Sequence, residues 1–323
     1  MGLKSRITVP PENEGDRIDV FLSGYFADIS RARIQKGVGS GDIIKDGLET
    51  KKSEPVSAGS VIDVLDSFEE ERESGYPEAQ GIPLEVIYKD RYIAAVNKPP
   101  GLCVHPGAGR RDRTLVNALV YHFTELSQGP DSERPGIVHR LDMDTSGVIL
   151  VALNNSVHAK LSEMFAQRSI HKTYKAFCIG KRPENKGDIT GAIRRHCKHR
   201  QIFCVQSGGK DARTRYRLEG YRSGISLISF YPETGRTHQI RVHSSWSGFP
   251  VVGDTGYGGG RAVLKSLPPE NRAFASEFCN LFHRQALHAH KISFIHPVTS
   301  EEVVLKAPFP EDFRKGLELL QRE

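Results

Sequence analysis

One acidic segment constrains the fold of this chain most, because it divides the chain into two modules. Residues 67–80 read SFEEERESGYPEAQ, with few apolar side chains and no helical or strand period. Segments of this composition remain solvated and act as linkers. The sequence therefore predicts a small module over residues 1–66, a flexible acidic linker over residues 67–80 and a large module over residues 81–323.

The formal net charge of +6 is unevenly distributed between these parts. Residues 1–66 carry 9 Lys and Arg against 11 Asp and Glu, residues 67–80 carry 1 against 5, and residues 81–323 carry 35 against 23. A basic surplus in the large module is typical of proteins that bind phosphate-bearing partners such as nucleic acids. Many soluble proteins have a similar surplus for solubility alone, so charge by itself leaves both interpretations open.

Apolar patterning and cysteine usage favour a cytoplasmic protein without a membrane segment. The longest apolar run, Val148 to Leu153, is far shorter than the roughly 18 residues that a membrane span needs. The polar start MGLKSRITVPPENEGD has no apolar region of a signal peptide. The 5 cysteines are widely spaced without a C-x-x-C pair, which argues against a disulfide framework and a common zinc module. A reducing cytoplasm fits this pattern.

The small module contains one helix signal followed by short strands. Ser30 is a suitable N-cap for a helix over residues 31–36, and Gly37 or Gly39 can end that helix in the left-handed conformation. Short apolar pairs and tight turns such as Asp46-Gly47 follow, which indicates β-strands. We expect six cations to share one face of this module: Arg31, Arg33, Lys36, Lys45, Lys51 and Lys52.

The large module mixes strand-like and helix-like segments. Residues 147–153 are typical of a strand buried on both faces, and Ser156 is a suitable cap for the helix that follows. In that helix the apolar residues Val157, Leu161, Met164 and Phe165 fall on one face. Further strand-like runs occur at residues 84–88, 92–96, 173–179, 214–218 and 226–231. This mixture predicts an α+β fold with a largely antiparallel sheet.

Three segments of the large module are rich in polar residues: 97–102, 139–147 and 233–243. The second comes directly before the buried strand, so Asp142 lies where a turn enters the sheet. A partly desolvated carboxylate there needs a cationic or hydrogen-bonding partner, and the third segment offers Arg236 and Arg241. From spacing alone, the alternative that Asp142 and Asp144 only cap turns is slightly favoured.

The same segments carry a resemblance to a known family. HRLDMDTSG (139–147), NKPPGLCVHPG (97–107) and ETGRTHQIRVH (233–243) resemble the three motifs of the RluA-type pseudouridine synthases. Residues 1–66, with RIDVFL, SRARIQ and GDIIKDG in order, resemble the S-four type of RNA-binding domain. Further segments at 114–118, 193–200 and 283–289 resemble the RluD-type branch, which modifies a 23S rRNA stem-loop at the subunit interface.

The resemblance implies a pseudouridine synthase fold, with a mostly antiparallel mixed sheet, preceded by a small α/β RNA-binding domain. It implies that Asp142 is the catalytic carboxylate, that Arg241 pairs with it and that Tyr174 stacks on the target uracil and accepts or relays the C5 proton. Arg140 matches the residue expected to extrude the base. It also implies an RNA-binding set of Arg140, Arg236, His238, Arg194, Arg195, Lys198, Arg200, Arg31, Arg33 and Lys36.

Several alternatives and tempting patterns accompany this interpretation. The expected partner is ribosomal RNA or a large-subunit precursor, with a tRNA-modifying synthase or a non-catalytic RNA-binding assembly factor as alternatives. We expect a monomer that uses no cofactor and no metal, since the histidine clusters lack the paired spacing of a zinc site. Asp254-Thr-Gly256 spells the aspartic protease motif, but that chemistry needs two such carboxylates, so we interpret the match as accidental.

Overall fold

A computed structural model describes residues 3–26, 29, 31–68, 76–106, 112–128, 133–199 and 201–322. It divides into two compact units, Met1–Tyr76 and Pro77–Glu323. The predicted N-cap Ser30, the predicted RNA-binding residue Arg200 and residues 69–75 of the predicted linker lie outside the described residues. Each unit is built around its own buried apolar side chains.

The small unit packs two helices on a four-stranded antiparallel sheet. The strands pair in the order β1-β4-β2-β3. Ile18 and Leu22 of the first helix, Ile34 of the second and Ile62 of the last strand are fully buried, so one apolar core joins both layers. The elements are β1 Leu3–Thr8, α1 Ile18–Tyr25, α2 Arg31–Ser40, β2 Ile43–Lys45, β3 Leu48–Glu49 and β4 Val61–Leu65.

The second helix of the small unit is longer than the sequence predicts. Neither Gly37 nor Gly39 ends it; the helix continues to Ser40, and Gly41 follows with a φ of +79°. Gly37 is needed for packing instead, because a Cβ there would collide with the Phe68 ring. A glycine that lets two elements approach closely has the same sequence signal as a glycine that ends a helix.

The large unit is built on one nine-stranded sheet in the order β5-β6-β7-β14-β8-β13-β12-β9, with β15 also paired to β14. Among the described pairings only β7 and β14 are parallel, so the prediction of an α+β fold with a mostly antiparallel mixed sheet is confirmed. The strands are β5 Glu85–Lys89, β6 Ile93–Lys98, β7 Ser146–Ala152, β8 His171–Ile179, β9 Lys186–Thr190, β10 Ile193–Arg195, β11 Phe203–Val205, β12 Arg213–Arg222, β13 Ile225–Pro232, β14 Leu287–Ile295 and β15 Glu302–Lys306.

Helices cover this sheet, and β10 and β11 form a separate hairpin. Leu161 of α4 and Phe313 of α7 are fully buried in two different apolar clusters. Within the described ranges, none of the helices has the length and apolar character needed to cross a bilayer. The helices of this unit are α3 Leu115–His122, α4 Asn155–Ala166, α5 Gln239–Trp246, α6 Pro269–Cys279 and α7 Glu311–Gln321.

The start of α4 differs from the sequence prediction. Asn154, not Ser156, is the N-cap, and its side-chain oxygen accepts a hydrogen bond from the Val157 backbone N–H at 3.0 Å. Asparagine and serine are both good N-caps, so local sequence could not rank the two positions. The predicted buried strand is present, with every residue of Ser146–Ala152 buried.

Gly147 fixes the junction between the central strands. Its φ is +120°, and a Cβ there would collide with the backbone of Ala289 in β14. Beside it, the Ser146 hydroxyl donates to Nδ1 of the buried His288 at 2.9 Å, while Nε2 of His288 faces the Ala307 carbonyl. The loop that contains Asp142 therefore enters the sheet at a position where only glycine fits.

We expect Gly147→Ala to destabilise the protein by about 2–4 kcal/mol, because the added methyl group meets strained backbone and a neighbouring strand at once. Gly101→Ala is the matched control: Gly101 also has a positive φ, 79°, but nothing lies near its missing Cβ. It should cost only the conformational strain, about 1–2 kcal/mol. Urea unfolding of both variants measures the difference, and equal losses would contradict the collision.

Candidate active site

A cleft of about 940 Å³ in the large unit contains the polar residues that the sequence singles out. It lies where the loop before β7, the strand β8 and the start of α5 meet. Six of the predicted site residues line it: Arg140, Asp142, Tyr174, Arg236, His238 and Arg241. The cleft thus brings together two of the three polar segments, 139–147 and 233–243, whereas no residue of segment 97–102 lines it.

A buried lysine, Lys98, fixes the loop that carries Asp142. The Lys98 ammonium, at the end of β6, donates to the carbonyl oxygens of Pro99, Leu102 and Met143 at 2.8, 2.9 and 2.7 Å. Burial lowers the pKa of Lys98 to about 7. Its three N–H groups match three carbonyl acceptors, so Lys98 fixes the backbone one residue beyond Asp142.

A second cation clamps the same loop. Arg284 Nη1 donates to the Asp144 carbonyl at 2.9 Å, while Nε and Nη2 of Arg284 make a bidentate pair with Asp312 at 2.8 and 2.9 Å. Gln285 Nε2 donates to the Thr145 hydroxyl at 3.3 Å. The sequence motifs around residues 98 and 284 therefore contribute structure to the site, by fixing the loop on which Asp142 lies.

Arg241 joins two carboxylates. Its Nη1 lies 3.1 Å from Asp142 Oδ2, and its Nε and Nη2 lie 2.6 and 3.0 Å from the two oxygens of Asp254. Burial opposes the charge of Arg241, but the hydrogen bonds and charges of Asp254 and Asp142 outweigh it and raise the Arg241 pKa. The guanidinium is therefore a fixed cation that orients one carboxylate oxygen of Asp142.

Asp254 is a site residue that the sequence interpretation missed. The protease-like motif gave the Asp254 carboxylate no role, although its side chain is only 1% exposed. The local sequence carries little signal for this burial, because aspartate is rarely fully buried unless it is paired. A buried aspartate requires a cation, and Arg241 supplies it.

His238 approaches Asp142 from the other side. It has a left-handed backbone, with φ of 55°, at the start of α5, and its Nε2 lies 4.0 Å from Asp142 Oδ2. The Tyr257 hydroxyl lies 2.8 Å from His238 Nδ1 and accepts the Phe203 backbone N–H at 2.9 Å. Because that hydroxyl already accepts one hydrogen bond, it is free to donate to Nδ1, which leaves the ring proton on Nε2 facing Asp142. Burial lowers the His238 pKa, which favours this neutral form.

Tyr174 lies on β8 between Phe230 of β13 and Ala289 of β14. It packs against two of the buried apolar clusters and also lines the cleft. Burial, and next the charge of Asp142, raise the pKa of Tyr174. The side chain is therefore a neutral phenol, with an aromatic surface and a hydroxyl that can donate or accept.

Of the other RNA-binding residues predicted in the large unit, one lies in the cleft and three lie outside its lining. Arg236 lines the cleft, but its Nε donates to the Asp211 carbonyl rather than to Asp142. Arg194 and Arg195 lie on β10, outside the cleft lining, and Lys198 follows in the turn of that hairpin. The Arg195 guanidinium lies 5.3 Å from the centre of the Phe203 ring, which in turn contacts the His238 ring. The basic hairpin is therefore connected to the site through aromatic side chains.

In the small unit, the predicted basic face is partly used for internal contacts. Arg31 and Arg17 both pair with Asp19, whose side chain is fully buried. Burial would raise the pKa of Asp19, but hydrogen bonds from Gln35, Arg17 and Arg31 lower it. Arg33 donates to the Phe68 carbonyl at 2.7 Å. Arg31 and Arg33, two of the six cations predicted to share one face, therefore also bind groups inside the small unit.

Comparisons with known proteins agree with this architecture. Residues 92–246 match the model of a family described as RNA pseudouridylate synthase. The chain is 39% identical over 98% of its length to the ribosomal large subunit pseudouridine synthase D of Vibrio vulnificus, covering 94% of that protein. Its identity to the protein of the same name from Xylella fastidiosa is 38%, over 100% of this chain and 94% of that one.

A solved structure gives the same result at the level of the fold. Human RNA Pseudouridylate Synthase Domain Containing 1 superposes with a TM-score of 0.54 and 29% identity. The superposition covers 72% of this chain and 86% of the human one.

The geometry of Arg241 predicts a large effect on stability. Arg241→Met leaves the buried Asp254 without its cation, and we expect a loss of about 3–5 kcal/mol in the free energy of unfolding. Arg236→Met removes an exposed guanidinium from the same segment and should change stability by less than about 1 kcal/mol. Chemical unfolding of both variants tests the ranking; similar losses would mean that Arg241 does not compensate Asp254.

Proposed function

The chain belongs to the RNA pseudouridylate synthase family, and from this premise we propose that it converts uridine to pseudouridine in the 23S RNA of the large ribosomal subunit. Relatives that match almost the whole chain are named for activity on the ribosomal large subunit. The observation that carries the proposal within the structure is the pairing of Asp142 with Arg241 in a cleft that also presents Tyr174.

The reaction needs few groups. It breaks the C1′–N1 bond of uridine, turns the uracil and joins C5 to C1′, and the hydrogen lost from C5 is matched by one gained at N1. The conversion is an isomerisation, so it consumes neither an oxidant nor a nucleotide. One positioned carboxylate suffices, and we assign this role to Asp142, which either attacks C1′ or removes the C2′ proton to give a glycal.

Arg241 and Tyr174 complete the proposed catalytic set. The charge-assisted bond from Arg241 to Oδ2 holds the Asp142 carboxylate in position at the cleft. Tyr174 stacks on the uracil with its ring, as neutral phenols and bases do in extruded-base sites. Because its pKa is raised, Tyr174 relays the C5 proton through a hydroxyl that both accepts and donates, rather than as a phenolate.

RNA binding follows from the cations around the cleft. A uridine in a stem or a structured loop is inaccessible, so the base must leave the stack. We assign extrusion to Arg140, which is exposed two residues before Asp142. His238 and Arg236 contact the extruded nucleotide, and the hairpin residues Arg194, Arg195 and Lys198, with Arg200, bind neighbouring phosphates.

The small unit is proposed to bind the same RNA. Residues 1–66 tether it, with residues 67–80 as the linker, which raises the RNA concentration at the catalytic unit. Lys36 on α2 is exposed, and Arg31 and Arg33 lie on the same helix with partners inside the unit. We further propose that the protein acts as a monomer in the cytoplasm, on rRNA or on a large-subunit precursor.

We expect Asp142→Asn to reduce pseudouridine formation by a factor on the order of 10⁴ or more, because the amide is neither a nucleophile nor a base. RNA affinity should change little. Asp144→Asn is the matched control, two residues away on the same loop. Single-turnover conversion of an rRNA fragment measures both variants, and substantial product from Asp142→Asn would transfer the catalytic role to another residue.

For the small unit, we expect Lys36→Gln to weaken RNA binding and to reduce its log–log salt slope by about 0.7, the value for one single-strand phosphate contact. The rate on saturating RNA should stay unchanged. Lys315→Gln is the control, because it removes an equally exposed lysine on α7 that pairs with Glu311. Equal salt slopes for the wild type and Lys36→Gln would argue against a phosphate contact at this helix.

A further inference from the structure

Lys172 lies in the cleft. Neither the family motifs nor the proposed mechanism gives this cation a role. It lies on β8, opposite Ile292 of β14, and lines the same cleft as Asp142. Side chains two residues apart on a strand share one face, so Lys172 and Tyr174 project to the same side of the sheet. The Cα atoms of the two residues are thus roughly 7 Å apart along the strand.

Two carboxylates line the cleft with Lys172, but each pairs with arginine: Asp142 with Arg241, and Glu233 with Arg213 and Arg215. Within the part of the chain that the structure describes, the Lys172 ammonium makes no ion pair and no hydrogen bond. Its Nζ lies 5.9 Å from the centre of the Phe165 ring and 4.0 Å from the point that a Cβ on Gly235 would occupy. The buried His139 beside it is neutral, because its Nε2 accepts the Leu150 N–H and burial lowers its pKa to about 3.

Two other lysines of this unit have partners of a kind that Lys172 lacks among the described residues. Lys175, three residues further along β8, pairs with Glu219 at 3.1 Å. Lys98 is fully buried but donates to three carbonyl groups. Lys172 is half-buried with neither kind of partner, although a desolvated ammonium costs free energy unless an anion or acceptors surround it. An anion on a molecule that enters the cleft would supply such a partner.

We propose that Lys172 binds a backbone phosphate of the RNA next to the target uridine and so positions the ribose over Asp142. This inference rests on the proposed function, which brings an RNA into the cleft. A phosphate is the anion that RNA supplies at every nucleotide, and its charge-assisted bond to a lysine strengthens where water is excluded. Gly235 leaves the approach open, because it has no side chain in front of Nζ.

The geometry of a nucleotide fits these two side chains. A uracil stacked on Tyr174 has its ribose next to Asp142, and the phosphate is the following group along the backbone. Lys172 is therefore a positioning residue for the sugar, whereas Tyr174 contacts the base. Binding at this point acts on the orientation of C1′ and C2′, the atoms that Asp142 must reach in either route.

The test uses an rRNA stem-loop in which a single methylphosphonate replaces one of the two phosphates flanking the target uridine. Each RNA is assayed with the wild type and with Lys172→Met, which keeps the packing against Phe165. At one linkage, neutralising the phosphate should weaken wild-type binding roughly tenfold or more, the usual size of a hydrogen bond to a charged group. The same replacement should have almost no effect on Lys172→Met.

Two further variants separate binding from structure. Lys172→Arg keeps the charge and should recover most of the affinity, whereas Lys175→Met, on the same strand but paired with Glu219, should retain the full response to the methylphosphonate. If both flanking replacements weaken the wild type and Lys172→Met equally, the phosphate contact is refuted. If the wild type binds the RNA with this coupling but forms no pseudouridine, the proposed function fails while the phosphate contact stands.

Discussion

The sharing of one guanidinium between two carboxylates is the interaction on which the site depends. Arg241 is anchored by the buried Asp254 through two hydrogen bonds, and this leaves its Nη1 for Asp142. The buried Asp254 fixes the guanidinium, whereas the Asp142 side chain is 20% exposed and lines the cleft. A single Arg–Asp pair would leave the arginine free to rotate with its long side chain.

The surrounding fold holds the other end of this interaction. Lys98 and Arg284 donate to backbone carbonyls directly after Asp142, so the loop position depends on main-chain contacts and not on the identity of Met143 or Asp144. Gly147 then allows the chain to enter β7 beside β14. Lys98 and Arg284, which are distant from Asp142 in the sequence, thus fix the position of its carboxylate. Their segments therefore carry polar motifs although they contribute neither side chain to the cleft.

The distribution of positive charge indicates a binding surface only when the cations that pair with acids inside the fold are left out of the count. Arg31 in the small unit and Arg284 in the large unit each bind an acid inside the fold, as does Arg241. Lys172 is different, because no anion among the described residues pairs with its half-buried ammonium. Counting charges along the chain cannot separate paired cations from unpaired ones, whereas the contacts in the folded structure can. A site that binds a polyanion is recognised by cations that folding leaves unbalanced.

Sequence by itself determined the broad architecture, because apolar periodicity and turn residues act locally. It predicted the mixed, mostly antiparallel sheet, the buried strand around Ile149 and the helix that carries Val157 and Leu161. It also selected Asp142, Tyr174 and Arg241 as one set, through motifs that resemble a family. The motifs name residue types at fixed spacing, and the structure places the three side chains around one cleft.

Apart from the pair of Asp142 and Arg241, which the family resemblance implied, the tertiary structure decided which charges compensate each other. Asp254 is 13 residues from Arg241 and Asp142 is 99, and no local pattern indicates that one guanidinium meets both. The same holds for Gly37, which packs against Phe68 instead of ending a helix, and for Arg31, which is bound to Asp19. Helices and strands follow from neighbours along the chain, but ion pairs and close backbone contacts depend on which segments the fold brings within a few ångströms.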